Sequence, residues 1–64
     1  MKSAKELVDA SRVGGVIAAQ EYSEQLAADL AAVADESNVR QLAGARHHVF
    51  VGAGWTVFLV ETTP

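Results

Sequence analysis

Residues 55–60 read Trp55-Thr56-Val57-Phe58-Leu59-Val60, an apolar run with the character of a β-strand. Side chains alternate across a strand, so Trp55, Val57 and Leu59 leave one face and Thr56, Phe58 and Val60 the other. Both faces carry large apolar groups, and each needs a covering layer. Upstream, Arg46 to Val51 reads as a second strand, and Gly52-Ala53-Gly54 supplies the positive φ angles of a three-residue hairpin loop. The pair predicts a C-terminal antiparallel β-hairpin over 46–51 and 55–61, followed by a short tail, Thr62-Thr63-Pro64. One face is expected to carry Phe50, Phe58 and Val60, and the other Val49, Val51, Trp55, Val57 and Leu59.

The residues before the hairpin read as helical. Ser3-Ala4-Lys5-Glu6 has the form of a capping box, Leu7 and Val8 with Ala4 and Ser11 form a narrow stripe, and Gly14 or Gly15 can end the helix in the left-handed region. The first helix is expected over about 4–13. Ala19, Tyr22, Leu26, Leu30 and Val33 then recur at helical spacing, widened by Val16, Ala27 and Ala34, and predict a second helix over 16–36. Ser37 or Asn38 would cap a short helical turn over 38–43, stopped by Gly44. The chain therefore reads as one small α+β domain, 1–64, with two helices, a turn and a hairpin completed by oligomerisation.

Size supports that last step. A chain of 64 residues lies where a hydrophobic core alone is marginal, and the usual supports are disulfides, a structural metal or association. There is no cysteine, which excludes disulfides and thiolate zinc sites. No uncharged apolar run approaches the ~20 residues that span a bilayer. Lys2 and Lys5 are not followed by the apolar core of a signal peptide, so a soluble, cytoplasmic protein is expected. Val13-Gly14-Gly15 has the look of a double-glycine export leader. Asp9 and Arg12, however, stand where such leaders carry apolar residues, and a helix stop explains the glycines better.

No motif specifies a reaction. Gly52-Ala53-Gly54 precedes a strand-like run rather than a helix and no lysine follows, so it is not a phosphate loop. His47 and His48 are adjacent and would point to opposite faces of a strand. Ser11, Ser23 and Ser37 stand in no nucleophile elbow. No catalytic residue, metal ligand or cofactor is therefore assigned.

Charge is more informative. Between Val13 and Val39 the chain carries Glu21, Glu24, Asp29, Asp35 and Glu36 and no basic residue, within a net charge of −3. On a helix these acids would form one polar face able to dock on a basic patch of another protein. The expected function is a small non-enzymatic interaction module, a regulator, inhibitor or accessory protein. It would self-associate, as a dimer in the first instance, through Val49, Phe50, Val51, Trp55, Val57, Phe58, Leu59 and Val60, and bind a larger protein. The alternative is a dimeric nucleic-acid-binding regulator using Arg40, Arg46, His47 and His48, for which one chain offers few phosphate contacts. Neither a nucleic acid nor a membrane is an expected partner on the leading reading.

Overall fold

The computed structural model describes residues 2–15 and 17–62; Met1, Val16 and the tail residues Thr63 and Pro64, which the sequence reading touched, lie outside the described residues. The architecture is α+β: two helices and a four-stranded mixed sheet. In chain order the elements are α1 (Ala4–Gly14), β1 (Ala18–Glu21), α2 (Glu24–Val33), β2 (Glu36–Leu42), β3 (Ala45–Gly52) and β4 (Trp55–Thr62). The strands lie in the order β1-β4-β3-β2, with β1 parallel to β4 and the other neighbours antiparallel.

Helix α1 forms where its end signals predict. The Ser3 side chain accepts a hydrogen bond from the Glu6 amide at 3.2 Å, and Glu6 Oε1 accepts one from the Ser3 amide at 3.2 Å. Gly15, at φ 61°, closes the other end in the left-handed region. The stripe Leu7, Val8 and Ser11 is buried. Ser11 has a specific task. Its hydroxyl accepts a hydrogen bond from the Thr56 amide at 2.8 Å, one residue before β1 begins to pair with β4 at Val57. The helix thereby satisfies a strand donor at the position where the neighbouring strand has run out.

The long second helix expected over 16–36 does not form. Residues 18–21 are β1, and the helix starts only at Glu24, after Ser23 caps it by accepting from the Leu26 amide at 3.2 Å. The alanines and the 3-4 spacing suggested helix, but within α2 only Leu26 and Leu30 are buried, and Val33 is 61% exposed. Helix propensity is a weak preference, and backbone pairing along the free edge of β4 outweighs it for Ala18–Glu21. Ile17 precedes that strand and is exposed.

The helical turn expected over 38–43 is also absent. Glu36–Leu42 is β2, paired along its length with β3. Every residue of β2 is exposed, so neither face needs an apolar row and the period-2 signal is missing. Ala43 and Gly44 form the turn to β3, both at positive φ, 50° and 77°. That pattern belongs to a type I′ turn, which favours asparagine or glycine at the first position, where alanine carries a steric penalty. Ala43→Asn is therefore expected to stabilise the fold by about 0.5–1 kcal/mol, raising the melting temperature by roughly 3–6 °C. Ala43→Val should lower it, and thermal melts of the two variants check the sign.

Strands β3 and β4 pair through Gly52↔Trp55, which leaves Ala53-Gly54 as the connection in place of the expected three-residue loop. The faces also differ from expectation. Phe50 lies opposite Val57, so Phe50 joins Trp55, Val57 and Leu59 on one face, while Val49 and Val51 join Phe58 and Val60 on the other. Both helices pack on the first face. Leu7, Val8, Leu26, Leu30, Phe50, Trp55, Val57 and Leu59 form one buried cluster, with Ala18 and Tyr22 at its margin. Leu30, Val57 and Leu59 are completely buried. Among the described residues no helix is long and apolar enough to cross a membrane.

Candidate functional site

The sheet has helices on one side only. Strand register arranges its other face in rows that cross all four strands. One row runs Glu21, Val60, His47, Arg40, and the next runs Ala19, Phe58, Val49, Asn38. Beyond them Thr56, Val51 and Glu36 form a third row, and Ala45 and Leu42 share the far end. The centre is apolar. Val49 is buried by its neighbours, Phe58, Val60 and Val51 are half-buried, and Leu42 is 50% exposed at the rim. His47 lies against Phe58 in an edge-on arrangement with ring centroids 6.3 Å apart, and its Nδ1 is buried without a hydrogen-bond partner. Arg40 Nε donates to Asn38 Oδ1 at 3.4 Å along the outer strand.

The eight residues expected to form an association surface therefore divide. Phe50, Trp55, Val57 and Leu59 are buried beneath the helices, whereas Val49, Val51, Phe58 and Val60 make up the uncovered face. The division follows from register: a two-residue connection pairs residues whose numbers sum to 107, and a three-residue loop shifts that sum by one. The two edges of the β3–β4 hairpin are filled from within the chain, by β1 beside β4 and by β2 beside β3.

His47 and His48 point to opposite faces. His48 packs on the helix side, stacked on Tyr22 with centroids 4.2 Å apart, and its Nε2 lies 3.0 Å from Glu61 Oε2. The same carboxylate oxygen lies 3.7 Å from Arg46 Nη1. A carboxylate-oriented imidazole is half of a general-base unit, but the hydroxyls of Ser11 and Ser23 are both taken up as acceptors for backbone amides. Among the described residues no three His, Asp or Glu side chains gather as a metal-binding set.

The basic residues of the nucleic-acid reading divide in the same way. Arg40 and His47 lie on the uncovered face, Arg46 and His48 on the helix side, and Glu61 sits between the last two. The acids likewise do not make one docking face. Glu21 and Glu36 stand at opposite edges of the sheet, Asp35 lies in the link to β2, and only Glu24 and Asp29 are on α2. Asp29 accepts from Gln25 Nε2 at 3.0 Å, one turn away. A shallow groove of about 350 Å³ between the two helices is lined by Ala4, Val8, Arg12, Asp29, Val33 and Trp55. The sequence had no means of finding these cross-strand groupings, since β1 and β2 were read as helical. No protein-family model, no curated protein and no solved structure matches the chain.

Proposed function

We propose that the protein is a small, non-enzymatic interaction module that self-associates through the sheet face opposite its helices and presents the remaining surface to a larger protein, as a regulator, inhibitor or accessory subunit does. One observation carries the reading. Val49, Val51, Phe58 and Val60 form a contiguous apolar centre on a face that no element among the described residues covers. Antiparallel sheets tolerate one solvated face when that face is polar, and here its two central strands are not. A domain of this size also gains most from sharing a second layer, because its own core is small. Sedimentation equilibrium across the micromolar range tests it. A concentration-dependent dimer is expected, and a folded monomer at every concentration would remove the reading.

A further inference from the structure

Resting on that reading, we infer that two copies pack face to face about a two-fold axis parallel to the strands, and that Glu21 of each copy pairs with Arg40 of the other. The row Glu21, Val60, His47, Arg40 is acidic at the β1 edge and basic at the β2 edge. Within one chain these two charges are three strand spacings apart, roughly 14 Å, too far to form an ion pair. A two-fold axis lying between β3 and β4, along the strands, turns each row over onto its own copy with the ends exchanged. Glu21 then faces Arg40 twice, Val60 covers His47, and Phe58 meets Val49. A two-fold axis across the strands through the same row would set Arg40 against Arg40 and Glu21 against Glu21, and one through the row of Phe58 and Val49 would set Arg40 against Glu36 and leave Glu21 facing no base; only the first arrangement pairs the two ends of the row with each other.

The sheet geometry permits the contact. Aligned sheets cross at about 30°, which displaces the row ends by only a few Å, within the reach of an arginine side chain. Four strands of four to eight residues give a face of up to about 20 by 25 Å, so two copies bury at most on the order of 1,000 Å². That is near the lower bound for a specific interface. The exposed edge of β2 offers a second route to dimers, but strand pairing there leaves Phe58 and Val60 uncovered.

Charge reversal separates the possibilities. Glu21→Arg and Arg40→Glu are each expected to weaken the dimer about 10-fold at low salt, because each sets like charges against each other at two symmetric places. The double variant should return to within about 3-fold of the original, since the pairs are restored with their signs exchanged. Both positions are exposed, so the variants should fold, which circular dichroism verifies. Phe58→Asp should weaken association at least 100-fold, on the order expected for an uncompensated charge in an apolar interface. A double variant no tighter than the single ones overturns the arrangement. So does a dimer that survives Phe58→Asp and is lost in Val39→Pro, which would place the contact at the β2 edge while leaving self-association intact. A chain that is monomeric throughout removes this inference together with the reading on which it rests.

Discussion

Gly52→Ala should lower the stability of the fold by about 2–4 kcal/mol, a large share of the roughly 3–9 kcal/mol available to a domain of this length. Gly52 pairs directly with Trp55 across the turn. The indole folds back over the α-carbon of Gly52, where a Cβ would overlap its Nε1 and Cε2 atoms. Trp55 is 5% exposed and belongs to the central cluster, so moving the ring aside breaks its packing there. Adding one methyl group therefore expels an aromatic side chain that buries on the order of 150–250 Å², and losing half of that burial alone costs about 2–3 kcal/mol. The melting temperature should fall by roughly 10–25 °C. Trp55 is the sole tryptophan, so its fluorescence reports the displacement directly, with emission moving to longer wavelength. In a Trp55→Leu background the same glycine substitution should cost much less, which makes the coupling measurable as a double-mutant cycle. An unshifted melt and emission in the single variant would show that the ring does not depend on the glycine.

Leu30→Ala is the second large effect, at about 3–4 kcal/mol. Leu30 is completely buried, and with Leu26 it is one of two buried residues in α2. That helix has 10 residues, shorter than the ~12–15 at which an isolated helix is even marginal in water. Its helicity therefore depends on the two leucines rather than on its alanines. Truncating Leu30 leaves a cavity against the sheet and also loosens the element that should close it. Far-UV circular dichroism should lose the α2 contribution at a temperature where the parent chain is fully folded. Val33→Ser, on the same helix but 61% exposed, should change stability by less than about 0.5 kcal/mol. Equal effects at Leu30 and Val33 would contradict the anchoring.

These two residues also mark what could be read in advance. Leu30 and Leu26 were legible because a buried helical position repeats at 3-4 spacing and is large and apolar. The capping box at Ser3 and Glu6 and the stop at Gly15 were legible because they are local hydrogen-bond and backbone chemistry. Strand β1 was not, because Ala-Ala-Gln-Glu has no preference for extended backbone, and only the free edge of β4 draws it in. Strand β2 was not, because it is exposed on both faces and its turn uses Ala43 where asparagine is the usual sign. A readable sign was present at Ser23, whose position before Glu24-Gln25-Leu26 is that of a helix N-cap. The apolar residues of the uncovered face, Val49, Val51, Phe58 and Val60, lie on β3 and β4, inside a four-stranded mixed sheet rather than a simple hairpin. Their separation from the core residues depended on a loop length that differs by a single residue.

The parallel pairing of β1 with β4 has a consequence for how the chain reaches its structure. Ser11 and Thr56 meet although they are 45 positions apart, and among the described residues Ala18–Glu21 pairs with β4 alone. Until residues 55–62 are available, β1 lacks its pairing strand and α1 lacks the strand on which most of its packing falls. Contacts of such long sequence separation are slow to form because loop closure must precede any gain from them. The docking of α1 and β1 should therefore wait for the strand at 55–62 to be in place.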